Sequence, residues 1–188
     1  LIEVNGRYDG TSRFKSGMRY GFFPSVSAGW RLSEESFFEK AKEVVNNLKI
    51  RASFGSLGNQ AVNSSKPNYY PYIETMNTSL SSWLIDGQKT QNVSSPNPII
   101  DNLTWEKATT VNVGVDLSFL NNRLTTSFDY FIRYTNNMIG PSPKLPAVYG
   151  LSGDQIARAN NTDMKTQGFD FEIAWQDRLS NGLSYNVR

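Results

Sequence analysis

The stretch NLTWEKATTVNVGVDLSFLNNRLTTSFDYFIRYTNNMI, residues 102–139, alternates apolar and polar side chains in two runs separated at Asn121-Asn122. Side chains of a strand point alternately to opposite faces, so position parity sorts them. Odd positions from 105 read Trp105, Lys107, Thr109, Val111, Val113, Val115, Leu117 and Phe119. The even ones read Glu106, Ala108, Thr110, Asn112, Gly114, Asp116 and Ser118. Beyond the Asn pair the apolar phase moves to even positions, Leu124, Phe128, Tyr130, Ile132 and Tyr134, with Thr125, Ser127, Asp129, Phe131 and Arg133 between them. A two-residue hairpin turn demands that switch, and Asn tolerates the positive φ of a primed turn. Leu120 then faces Arg123, Phe119 faces Leu124, Val115 faces Phe128 and Val111 faces Ile132. A one-residue slip would set Val113 against Asp129, so the register is strongly specified.

The same alternation extends outward in both directions. Ile2, Val4, Gly6 and Tyr8 share a face in a first strand. Tyr20, Phe22, Val26, Ala28, Trp30 and Leu32 share one in a second, where Pro24 requires an edge or a bulge. Ser33 reads as an N-cap opening a short helical connection over about 33–45. Leu48, Ile50, Ala52 and Phe54 mark a third strand. The hairpin supplies the fourth and fifth, and Phe169, Phe171, Ile173 and Trp175 the sixth. A loop Ser180-Asn181-Gly182, with Gly182 left-handed, sets Leu179 against Leu183, Trp175 against Val187 and Gln176 against Asn186. Connections at about 58–103 and 135–163 are long. They hold Pro67, Pro71, Pro96, Pro98, Pro141, Pro143 and Pro146, which fits irregular loops and not strand. Long and short connections alternate, so an up-and-down antiparallel sheet gathers the long ones at one end.

Composition removes several function classes. A formal net charge of +2 over 188 residues gives no argument for nucleic acid. No run of about 18 apolar residues exists, which excludes a membrane-spanning helix. Without Cys there is neither disulfide nor thiol chemistry, and without His the commonest general base and metal ligand is missing. The chain begins at Leu1 and ends at Arg188 within strand-like sequence, and we read it as an internal piece of a longer protein.

Two architectures accommodate strands with one oily and one wet face: a soluble β-sandwich and a membrane β-barrel. Sandwich strands run about 5 to 6 residues, whereas this hairpin requires about 13 per strand, enough to cross a bilayer at a tilt. Aromatic residues also collect near the strand ends, Trp105, Tyr134 and Tyr20 at one and Trp30, Phe119 and Trp175 at the other, as interfacial girdles do. Both observations favour the barrel. In it, Val111, Val113, Val115, Leu117, Phe128, Tyr130 and Ile132 would face lipid. Asn112, Asp116, Asp129 and Arg133 would face a watery lumen.

Three blocks in order, YGFFPSVSAGWRLSEESF (20–37), LKIRASFGSLGNQ (48–60) and residues 102–139, resemble consecutive barrel strands of SusC/RagA-type TonB-linked (TonB-dependent) outer-membrane proteins of Bacteroidetes. The resemblance covers nearly the whole chain. It implies an all-β, antiparallel up-and-down transmembrane β-barrel segment: about seven strands of a plugged barrel of the 22-strand class. Residues 1–188 would be part of a single barrel domain in the bacterial outer membrane, with no counterpart of the plug or of the TonB-contacting segment. The resemblance further implies import of oligosaccharides or peptides, a SusD-like surface lipoprotein as lid, and energy through TonB. No cofactor, metal, nucleic acid or reaction is expected. A non-transporting β-rich surface, adhesion or glycan-binding protein is the alternative.

Candidate ligand contacts are Tyr69, Tyr70, Tyr72 and Trp83, flat amphipathic rings in a polar loop rich in Asn and Ser, suited to stacking on sugars or peptides. Such a loop also packs rings on itself, and Val148, Tyr149 and Leu151 in the second long loop read more simply as packing. Asp116 and Asp129 lie diagonally on the polar face, an arrangement that raises the question of glycosidase chemistry. Thr110, Ser127 and Arg133 around them fit ordinary hydrated charges instead. Asp154 and Asp163 lack the spacing of a calcium loop.

Overall fold

Parity decides which face each residue joins, and the pairing of strands decides the rest. In the computed structural model all residues are described except 61–69, 97, 98, 100–102, 141–145, 147, 149, 151–158, 180 and 181. Among the described residues nine strands form: β1 (Ile2–Gly10), β2 (Tyr20–Arg31), β3 (Val45–Asn59), β4 (Thr78–Ile85), β5 (Gln88–Val93), β6 (Glu106–Phe119), β7 (Leu124–Ile139), β8 (Asn160–Arg178) and β9 (Ser184–Val187). Seven of them make one antiparallel sheet in the order β1-β2-β3-β6-β7-β8-β9, and β4 and β5 pair only with each other. Apart from that inserted hairpin, every strand neighbours the next in sequence, the up-and-down arrangement expected. The connections 11–19, 60–105 and 140–159 leave one end of the sheet, and 32–44, 120–123 and 179–183 the other.

The central hairpin has the expected register, with Phe119 opposite Leu124, Val115 opposite Phe128 and Val111 opposite Ile132. Asn121 and Asn122 have φ of 56° and 64°, and the Arg123 amide donates to the Leu120 carbonyl at 3.2 Å, closing a primed turn. Leu120 is also left-handed, at φ 54°, which alternation alone does not reveal. At the far edge Trp175 pairs with Val187 and Gln176 with Asn186, and Gly182 has φ 88°. The turn residues Ser180 and Asn181 lie outside the described residues.

Three expectations are corrected. The 58–103 connection is not irregular throughout: β4 and β5 form a hairpin across Asp86-Gly87, with φ of 51° and 76°. An Asp-Gly turn is a strong hairpin signal, masked here by apolar residues bunched at Trp83, Leu84 and Ile85 and by a register shift between Leu80 and Leu84. The other long connection is shorter than 135–163, because β7 continues to Ile139 and β8 begins at Asn160. Ser33 is not an N-cap. It lies inside a 3-10 helix, Leu32–Glu34, followed by a second, Ser36–Ala41, and its hydroxyl donates to Asn47 Oδ1 at 3.2 Å while β3 starts at Val45.

Among the described residues the sheet is a single layer. Val111, Val113, Phe128 and Tyr130 on its apolar face are exposed, as are Val4 and Phe22 toward one edge and Phe169, Phe171 and Val187 toward the other. The opposite face is the more crowded one: Gly114 and Ser118 are buried, and the Asp129 side chain is 18% exposed against 48% for Val113.

Candidate functional site

Register places a row of four residues straight across the polar face. Arg51 on β3 pairs with Gly114 on β6, Gly114 with Asp129 on β7, and Asp129 with Asp170 on β8. Having no side chain, Gly114 lets the Arg51 guanidinium lie over β6 and reach β7. Arg51 Nε and Nη2 donate to Asp116 Oδ2 and Oδ1, both at 2.8 Å, and Nη2 donates also to Asp129 Oδ2 at 2.8 Å. The planar guanidinium fork suits this bidentate grip. A retaining or inverting glycosidase needs two carboxylates with space between them for substrate or water, and here that space holds a cation. Asp116 and Asp129 are therefore an ion-pair network on the sheet wall.

Arg133 lies further along the same face, its Nε donating to Thr110 Oγ1 at 3.2 Å. Asn112 keeps one buried amide oxygen, and Asp129 one buried carboxylate oxygen, without a hydrogen-bond partner. Parity sets Arg51 on the polar side of its strand, as it does Asn112, Asp116, Asp129 and Arg133 on theirs, but does not reveal the pairing, because Asp116 is 65 residues away across the long connection. Among the described residues no group of three or more carboxylates could hold a metal ion. Asp163 accepts from the Asn137 amide at 2.9 Å, and Asp154 lies outside the described residues.

The loop aromatics divide. Tyr70 and Tyr72 form an edge-on pair, centroids 6.3 Å apart, at a turn closed by the Ile73 amide donating to the Tyr70 carbonyl. Trp83 is exposed on β4, beside the exposed Leu84 and Ile85. Tyr69, Tyr149 and Leu151 lie outside the described residues.

The strand-end aromatics differ in exposure. Tyr20 and Trp30 are exposed, and Tyr134 carries Lys165 Nζ 5.5 Å above its ring. Trp105 is buried instead, because it precedes β6 and folds edge-on against Phe14 and Phe23.

Comparison with known proteins agrees with this geometry. A family model described as TonB dependent receptor-like, beta-barrel, matches residues 1–188. The TonB-dependent receptor SusC of Bacteroides thetaiotaomicron is 32% identical over 191 residues, covering 100% of this chain and 18% of the relative. A TonB-dependent receptor of Formosa agariphila is 34% identical over 174 residues, covering 92% of this chain and 16% of its own. Solved structures of the RagAB peptide importer superpose on the fold. Its closed-closed state gives a TM-score of 0.74 at 23% identity, covering 98% of this chain and 20% of that one. The chain thus spans less than a fifth of the length of these curated relatives. With its match over all 188 residues, the chain belongs to the TonB-dependent receptor β-barrel family.

Proposed function

We propose that these residues form part of the wall of an outer-membrane importer of bulky nutrients, oligosaccharides or peptides, with a SusD-like lipoprotein as lid and energy delivered through TonB. Residues 1–188 then belong to one barrel domain, with the 11–19, 60–105 and 140–159 connections turned outward. Val111, Val113, Val115, Leu117, Phe128, Tyr130 and Ile132 face lipid. Asn112, Asp116, Asp129 and Arg133, with Arg51, face the lumen. Tyr70, Tyr72 and Trp83, along with Tyr69, meet the nutrient. The protein binds and translocates without a reaction of its own.

One observation carries this: an apolar face exposed across the sheet with no second layer over it among the described residues, backed by a face of charges and amides. In lipid every backbone group needs a partner, and a closed barrel of such strands supplies them all. SusC and RagAB support the transport reading, the latter being described as a peptide transporter.

The test compares two neighbours on β6 in the full-length protein. Val113→Arg should cost about 2–4 kcal/mol of barrel stability at mid-membrane depth, and Asn112→Arg should be tolerated. Equal losses of heat-modifiable, membrane-inserted protein would refute the assignment of faces.

A further inference from the structure

The buried hydrophobic residues among those described lie not under the middle of the sheet but at its loop end: Phe14, Phe23, Leu103 and Trp105, with Ile139 packed against them. Their location follows from a split in the wall. The β2–β3 ladder stops at Ser25 opposite Gly55, although β2 begins at Tyr20 and β3 runs on to Asn59. The next residue of β2 is Pro24, which has no N–H to continue a ladder. Phe23 fills the split. Its ring sits so close to two glycines that a Cβ on Gly58 would lie 2.1 Å from it and one on Gly21 2.6 Å. Trp105 covers it edge-on at 5.4 Å, and Phe14 meets Trp105 at 5.7 Å. The indole Nε1 donates to the Arg19 carbonyl at 3.2 Å, and Arg19 Nε to the Phe14 carbonyl at 3.0 Å.

Hydrogen bonds extend this cluster to every long connection. Glu106 accepts from Asn59 Nδ2 at 2.7 Å with one oxygen and from the Ile139 amide at 2.8 Å with the other, joining the ends of β3, β6 and β7. Asn160, at the start of β8, donates to the Thr104 carbonyl at 3.0 Å and accepts from the Thr104 amide at 2.9 Å. Arg13 Nη1 donates to the Gln60 carbonyl at 3.3 Å. The roots of the 11–19, 60–105 and 140–159 connections are therefore packed and bonded to one another, whereas the β4–β5 hairpin beyond them pairs only with itself.

We propose that Phe23 and Glu106 are positioning residues that hold these three roots as one rigid rim, keeping the spacing between them fixed. Side chains locked by packing and by bonds to a second element are what keep a binding geometry constant. Resting on the importer reading only for the direction the rim faces, the inference is tested without transport. In the full-length receptor, in outer-membrane vesicles and with any cysteine outside residues 1–188 removed, spin labels at Ser16→Cys and Asn136→Cys report the distance between two roots. The expected result is a single narrow distribution that at least doubles in width in Phe23→Ala and narrows again in Phe23→Leu. Glu106→Gln, which keeps size and loses one acceptor, should broaden it less. An unchanged distribution in Phe23→Ala would overturn the proposal. Should that variant fail to assemble, an unchanged distribution in Glu106→Gln and Trp105→Phe together would do so. A transport defect in Tyr70 or Trp83 variants bears on the importer reading alone.

Discussion

Gly114 shows how much one missing side chain decides. It stands between Arg51 and Asp129 in the row across β3, β6 and β7, and a Cβ there would lie 2.3 Å from Asp129 Oδ1 and 2.9 Å from Arg51 Nη2. Gly114→Val should thus displace the guanidinium and leave carboxylates short of their cation. Overpacking of this kind costs about 1–3 kcal/mol, read as an earlier thermal loss of the heat-modifiable barrel. Gly55, where the nearest atom to a new Cβ is Ser25 Cβ at 3.7 Å, supplies the control, and Gly55→Ala should leave the transition nearly unmoved. If the two substitutions behave alike, the ion-pair network contributes nothing to the wall. At this scale the sequence reveals faces but not partners. Alternation put Asp116 and Asp129 on the wet side, whereas their grip on Arg51 depends on a register between strands far apart in the chain.

Among elements, legibility follows how locally each is determined. The β6–β7 hairpin was readable to the residue because one tight turn and two uninterrupted alternating runs fix its register. β4 and β5 were not, because prolines flank them and their apolar residues bunch instead of alternating, leaving Asp86-Gly87 as the sole cue. Ser33 failed as a cap for a related reason: its hydroxyl is committed to Asn47 on β3, a tertiary contact that a local motif does not encode. Trp83 stands on β4, so this candidate ring is carried by a paired hairpin and not by irregular loop. Replacing Tyr70 and Trp83 together by Ala removes two stacking surfaces, worth roughly 1–3 kcal/mol between them. Growth-supporting uptake of the native nutrient should then require about tenfold more of it. The barrel should still assemble, since neither ring belongs to the buried cluster at the rim. Unchanged uptake in that double variant would remove these residues from the nutrient path.

For the whole molecule, surface area separates a wall from a globule. A folded monomer of 21.2 kDa exposes roughly 9,100 Å² by the usual scaling of area with mass, and this one exposes 13611 Å². The excess is what a single layer must show when neither face is covered. Its apolar face is continuous from Val4 to Val187, and both edges, β1 and β9, offer unpaired backbone groups. A patch of that extent is far beyond what soluble monomers carry, and open edges invite further strands. Expressed as residues 1–188 alone, the chain should therefore yield no monomer in aqueous buffer: size-exclusion chromatography should give material in the void volume, and a β-rich circular dichroism spectrum should appear only in detergent or lipid. A monodisperse 21.2 kDa species with a cooperative thermal transition in plain buffer would contradict this, because the oily face would then need a cover that the seven-stranded sheet does not provide. The remainder of such a receptor must contribute strands to pair both edges and a bilayer to cover the outside, so that stability here belongs to the closed cylinder and not to one arc of it.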